Sequence, residues 1–179
     1  KVLTVGDKFP DFSLTGVVSA DPAKAFKEVT NAADKGKWKV FFSWPKDFTF
    51  VCPTELIGFG DENAEFAKRD AVIYGFSVDS EYVHLAWRQN HPGLKNIPFP
   101  MLSDVKRELS TALGTLDKDA GVAKRATFVV DPEGVIRFVY VTDMNVGRNP
   151  KEVLRILDAL QSDEMCPCNW QKGDDFIKA

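Results

Sequence analysis

The chain has 179 residues, 44% of them hydrophobic, which suits one domain, or one domain with an arm, around an ordinary core. Its formal charge is −3 and its Lys and Arg residues are scattered rather than gathered into a stripe, so nucleic acid is not an expected partner. No apolar run approaches the roughly 18 to 20 residues that a membrane span needs, and the opening KVLTVGDKFPDF has neither an h-region nor a cleavage site, so no membrane association is expected.

The first strongly apolar block, Trp38 to Trp44 (WKVFFSW), predicts a central strand. From Thr54 to Arg69, residues Leu56, Phe59, Phe66 and Ala67 recur on one face of a predicted helix despite Gly58 and Gly60, which puts Cys52 and Pro53 at its N-terminus. Ala71 to Val78 reads as a second strand, and Ser80 to Asn90 as a helix capped by Ser80 and ended by Pro92 and Gly93. Asp104 to Gly114 predicts another helix, with Asp104 as cap and Gly114 as terminator. Ala126 to Val130 and Val135 to Val141 flank Asp131-Pro132-Glu133-Gly134, a type I turn signal, and so predict an antiparallel hairpin. Asn149-Pro150-Lys151-Glu152 is a helix start with cap, Pro and acidic residue in place; Val153, Ile156, Leu157 and Leu160 form its apolar face. Beyond it the composition turns polar and irregular. The expected organisation is an α/β domain over residues 1–160, with a central mixed sheet flanked by helices in a thioredoxin-like fold, followed by a C-terminal arm over 161–179.

Three cysteines, an odd number with two of them one residue apart, do not make the framework of a secreted scaffold. A reducing cytoplasm fits better, with thiols kept for chemistry or metal. A thiol is a useful nucleophile only as thiolate, and an ordinary value of about 8.5 leaves little of that form at neutral pH. A helix N-terminus supplies free N–H donors and the positive end of the helix dipole, and Cys52 stands where both could meet its sulfur. Position alone leaves a buried structural thiol equally open. Thr49, with a hydroxyl that can donate or accept, and Pro45 complete a Pro-x-x-x-Thr-x-x-Cys pattern before the helix.

The strings FFSWPKDFTFVCPTE, GVAKRATFVVD and MCPCNW, with Gly147-Arg148-Asn149 before the last helix, resemble the typical two-cysteine peroxiredoxins, and among them the bacterial alkyl hydroperoxide reductase C group. The resemblance runs in the expected order over nearly the whole chain. It implies that Cys52 is the peroxidatic cysteine, attacking a peroxide oxygen and becoming a sulfenic acid. Thr49, Arg125 and the Cys52 backbone N–H are the implied donors to the peroxide, Pro45 shields the thiolate, and Glu55 and Arg148 hold Arg125. On the residues alone, Arg125 reads as a surface ion-pairing side chain, Pro45 as a strand terminator, Glu55 as a first-turn carboxylate favoured by the dipole, and Arg148 as exposed.

Cys166, in a C-P-x-x-W context, matches the resolving cysteine; Cys168 departs from the family, which usually has a small aliphatic residue there, so either thiol could meet Cys52. The resemblance further implies an intersubunit disulfide, a homodimer that assembles into a ring of dimers, and re-reduction by thioredoxin, a flavoprotein disulfide reductase or an adaptor dithiol protein. Two Cα atoms must come within about 7 Å for a disulfide, so local unwinding around Cys52 is expected in each turnover. Cys168 could also attack a Cys52–Cys166 bond and present an exposed, easily reduced disulfide. The segment HPGLKNIP lacks the Gly-Gly-Leu-Gly insertion of easily overoxidised members, and QKGDDFIKA shows no Tyr-Phe helix, so a robust enzyme is expected. No cofactor or metal is expected. A C-x-x-C oxidoreductase is disfavoured because Cys52 has no such neighbour; a zinc site would have to combine Cys166 and Cys168 with Cys52, His84 or His91. His84 and His91 read as surface or packing residues. Nothing in the sequence specifically favours a holdase role.

Overall fold

The structure is a computed structural model that describes residues 1–179. Its elements in chain order are β1 Ser13–Val17, β2 Phe26–Thr30, β3 Trp38–Ser43, α1 Cys52–Asp61, α2 Asn63–Lys68, β4 Ala71–Ser77, α3 Glu81–Asn90, β5 Met101–Ser103, α4 Glu108–Leu113, β6 Leu116–Asp117, β7 Val122–Ala123, β8 Arg125–Val130, β9 Ile136–Thr142 and α5 Pro150–Ser162. Seven strands form one sheet in the order β2-β1-β5-β4-β3-β8-β9, with β3, β4 and β5 parallel and the remaining pairs antiparallel. This is the expected central mixed sheet, of thioredoxin-like α/β type.

Strand β3 shows why the core has two halves. Its side chains alternate across the sheet, so Val40 and Phe42, with Trp44 just beyond the strand, join one apolar cluster while Phe41 joins the other. The first cluster takes in Cys52, Leu56 and Phe59 of α1, Phe66 of α2, Trp87 of α3 and Val153 and Leu157 of α5. The second takes in Leu109 and Leu113 of α4 with Phe9, Phe76 and Phe128. Cys52 therefore sits at the start of a helix whose inner face is packed on the central strand.

The predicted helix over Thr54 to Arg69 is two helices, begun at Cys52 and broken at Glu62, which lies at φ −95° and ψ 0°. Leu56, Phe59 and Phe66 are buried as the pattern requires, but Ala67 is exposed because the break rotates α2. The predicted helix from Asp104 begins only at Glu108, since Arg107 at φ 61° turns the chain first. Asp104 nonetheless acts as a cap from a distance: its carboxylate accepts from Leu109 N at 3.0 Å and Ser110 N at 2.8 Å. Strands β1, β2 and β5 carry no strong sequence signal of their own; SLTGV and FKEVT are half-exposed five-residue segments and β5 has three residues. The hairpin of β8 and β9 forms as expected, with Asp131 Oδ1 accepting from Glu133 N and Val135 N and Gly134 at φ 84°. Asn149 caps α5 through Lys151 N, and Glu152 turns to Arg155 rather than back to the cap. Helix α5 continues through Ser162, two residues into the segment 161–179. No helix is long and apolar enough to cross a membrane.

Candidate active site

The site grows from the end of β3. Trp44 still bonds to the neighbouring strand through its N–H to Phe76 O at 3.1 Å, and Pro45, which has no N–H, ends that ladder. Lys46 to Val51 then form a short loop in which Phe48, Thr49 and Phe50 are exposed, Phe50 at 93%. Helix α1 starts at Cys52 with Pro53 next and no side chain capping it. Val51 holds the cap position and its carbonyl accepts from Thr54 N at 3.1 Å, so the Cys52 side chain leaves the first turn of the helix itself.

Cys52 is completely buried, beneath that loop. Thr49 Oγ1 lies 3.0 Å from its Sγ and 2.9 Å from Lys46 O. One hydroxyl carries one proton, so the two contacts describe two states. With a Cys52 thiol, S–H donates to Oγ1 and the hydroxyl donates to Lys46 O; with a thiolate, the hydroxyl donates to sulfur.

Behind the sulfur stands a buried charge cluster. Arg125, the first residue of β8, places Nη1 3.3 Å from Cys52 Sγ and 2.6 Å from Glu55 Oε1, while its Nε donates to Met144 O at 2.6 Å. Its Nη2 has no partner within the chain. Arg148 is fully committed: its Nε and backbone N–H donate to Glu55 Oε2 at 2.6 and 3.0 Å, Nη2 to Glu55 Oε1 at 2.7 Å and Ser43 O at 2.6 Å, and Nη1 to Ala126 O at 2.8 Å. Its guanidinium also lies 5.3 Å from the Phe42 ring centre. Each Glu55 oxygen therefore accepts two N–H donors. The two cations and one carboxylate sum to one positive charge, which a Cys52 thiolate brings to neutrality. Arg125 and Arg148 are buried, not surface residues as their side chains alone suggest, because Glu55 satisfies both at once.

Cys166 and Cys168 lie elsewhere. Cys166 is half-buried against the C-terminal end of its own α5, with Sγ 3.5 Å from Ser162 Oγ and 3.8 Å from Ala159 O, and Cys168 is exposed. All three cysteines are free thiols. Arg155 of α5 donates to Trp170 O at 2.8 Å, and buried Trp170 stacks on Phe176 at 5.4 Å, which docks the arm on the helix. Helix α5 has 13 residues and so is roughly 20 Å long. Cys166 contacts only Ser162, Ala159 and Glu164, and neither arm thiol touches Cys52. No group of three or more His, Cys, Asp or Glu side chains is arranged to hold a metal ion.

The sequence reading missed one group beside the loop. His84 is fully buried, with Nδ1 2.5 Å from Asp47 Oδ2 and Nε2 2.8 Å from Leu102 O. Burial opposes its charged form, but the Asp47 hydrogen bond and charge prevail and hold the imidazole above its ordinary value. A histidine on an otherwise apolar helix face was the only signal, and its partner lies 37 residues away in sequence.

Residues 5–139 match the model of the AhpC/TSA family. Alkyl hydroperoxide reductase C of Mycolicibacterium smegmatis is 55% identical over 99% of this chain and 95% of its own. Among solved structures, Mycobacterium tuberculosis AhpC aligns with a TM-score of 0.88 at 53% identity, covering 96% of this chain and 100% of that one. A reduced 2-Cys peroxiredoxin of Plasmodium vivax aligns at 0.91 with 35% identity, over 98% and 93% of the two chains. Likeness of this extent in sequence and in fold leaves one placement: the chain belongs to the AhpC/TSA family and is an oxidoreductase of the peroxiredoxin type.

Proposed function

We propose that Cys52 is the peroxidatic thiol of an enzyme that reduces hydrogen peroxide and alkyl hydroperoxides, with Cys166 or Cys168 as the resolving thiol. The observation that carries this reading is the Arg125 guanidinium, which touches Cys52 Sγ through Nη1 while Nη2 stays free for a second acceptor. The thiolate attacks one peroxide oxygen, an S–O bond forms as the O–O bond breaks, and alkoxide or hydroxide leaves and takes up a proton. Charge grows on the departing oxygen, where Arg125 Nη2 and the Thr49 hydroxyl can donate. Pro45 walls the pocket without offering a donor, and Glu55 and Arg148 hold Arg125 in its plane.

The resulting sulfenic acid condenses with a second thiol, releasing water and forming a disulfide. Within one chain neither arm thiol contacts Cys52, which supports a link to a second copy and hence a homodimer. Strand β9 leaves one sheet edge unpaired, a surface suited to such pairing. Assembly of dimers into a ring, a cytoplasmic location and residues 161–179 as the arm that carries resolution belong to the same reading. The uncapped start of α1 and the exposed Phe48 to Phe50 make the first turn easy to unwind, which suits rapid disulfide formation. A dithiol donor, whether thioredoxin, a flavoprotein disulfide reductase or an adaptor protein, then restores the thiols. The exposure of Cys168 supports its attack on a Cys52–Cys166 bond, which would pass the disulfide outward.

Titration with hydrogen peroxide and peptide mapping without reductant tests these steps together. One equivalent is expected to link Cys52 to Cys166 between chains, with Cys168 entering afterwards, and modest excess is expected to leave little Cys52 sulfinic acid. An unmodified Cys52 would contradict the reading; ready sulfinylation would contradict the fast resolution, and absence of any Cys168 linkage would remove the relay.

A further inference from the structure

Between Pro45 and Thr49 the loop carries a residue that points the other way. The Asp47 side chain turns inward, and its carboxylate accepts from Trp44 Nε1 at 2.7 Å and faces His84 Nδ1 at 2.5 Å. Its backbone N–H donates to Asp79 Oδ2 at 2.9 Å, and Asp79 is itself held by Ser77 Oγ at 2.7 Å. His84 belongs to α3 and reaches Leu102 O on β5, a carbonyl that can only accept, so Nε2 carries a proton and Nδ1 meets Asp47. One residue of the loop therefore meets Trp44 just past β3, Ser77 at the end of β4 and His84 of α3, and His84 carries the tie on to β5, all through groups that the peroxide chemistry does not use.

The loop residues on either side of this tie set the donor geometry. Lys46, immediately before Asp47, supplies the carbonyl that orients the Thr49 hydroxyl at 2.9 Å. Phe48, immediately after it, is in the left-handed region at φ 60° with its ring 6.0 Å from that of Trp87, and this turn brings Thr49 back over Cys52. The residues from Phe48 to Phe50 are exposed, whereas the Asp47 and His84 side chains are fully buried.

We propose that Asp47 and His84 are a buried positioning pair that fixes the Thr49 hydroxyl against the Cys52 sulfur and an incoming peroxide oxygen. The inference rests on Cys52 being the peroxidatic thiol. The pair also marks the fixed end of the segment that unwinds: Asp47 stays anchored while the chain from Phe48 into the first turn of α1 lets go and returns to the same place after each cycle.

Two substitutions separate positioning from mere packing. In His84→Gln the amide nitrogen can stand where Nε2 stands and keep Leu102 O, but the contact with Asp47 is lost. In His84→Asn the amide nitrogen can stand where Nδ1 stands and donate to Asp47. Oxidation of Cys52 by hydrogen peroxide and its alkylation by iodoacetamide, which needs a thiolate but no oxygen-directed donor, are measured on the full chain by peptide mass. His84→Gln is expected to slow peroxide oxidation about tenfold or more while alkylation changes far less, and His84→Asn is expected to recover most of the loss. If His84→Gln does not fold, Trp44→Phe removes a single donor to Asp47 and should lower the same ratio of rates by a smaller factor. Equal losses in the Gln and Asn variants, a parallel fall of both reactions, or an unchanged ratio in Trp44→Phe would overturn the proposal. A Cys52→Ser control that still consumes peroxide would instead show the reading of Cys52 itself to be at fault.

Discussion

Replacing Arg125 with alanine is expected to slow peroxide reduction by about a hundred- to a thousandfold, the usual loss when a donor to developing negative charge is removed. The fold should survive, because Glu55 keeps Arg148 on both carboxylate oxygens when Arg125 is gone. Arg125 acts in three directions at once: Nε fixes the plane on Met144 O, Nη1 spans Glu55 and the Cys52 sulfur, and Nη2 is left over. Lysine restores the charge but has one nitrogen, which cannot hold that plane and reach both acceptors. Arg125→Lys should therefore recover only part of the lost rate. Rapid-mixing measurement of Cys52 oxidation checks both variants, and a wild-type rate in either would contradict the assigned role.

The second large effect concerns stability. Glu55→Ala leaves two buried guanidinium groups without their shared carboxylate, and is expected to lower unfolding free energy by about 3–5 kcal/mol, the cost of breaking a buried ion pair from one side. Arg148 keeps only neutral acceptors, Ala126 O, Ser43 O and Thr127 Oγ1, and Arg125 keeps Met144 O. The two cations then repel each other across an emptied site. Glu55→Gln retains one acceptor oxygen but turns an amide donor toward a guanidinium, so it should lie between alanine and wild type. Denaturant unfolding reads this directly; a midpoint for Glu55→Ala equal to wild type would show that the cluster carries no such weight.

These two residues also show what sequence could tell. Glu55 was legible as a first-turn carboxylate and Arg148 as a residue before a capped helix, but neither reading on its own buries them. The helix start at Cys52, the β3 strand and the β8–β9 hairpin follow local rules: aromatic and β-branched runs, a Pro in the first turn, an Asp-Pro-Glu-Gly turn. The ion cluster does not, because its members lie 70 and 93 positions apart and meet only through the sheet order. The resemblance of FTFVCPTE to a known family supplied that link where periodicity could not. Strands β1, β2 and β5 escaped for a different reason: short, half-exposed strands gain their stability from pairing rather than from their own pattern. The His84–Asp47 pair escaped for the first of these reasons, since a single histidine on a helix carries no mark of a partner in a distant loop.

The geometry around Cys52 makes a single claim above the others, that one sulfur held by Thr49 and Arg125 is where the O–O bond breaks. Steady-state peroxide consumption by Cys52→Ser, with a dithiol donor present and Cys166 and Cys168 intact, tests it most directly. Activity is expected to fall to the background of the donor alone while the unfolding midpoint stays close to wild type; substantial thiol-dependent consumption of peroxide by that variant would contradict it.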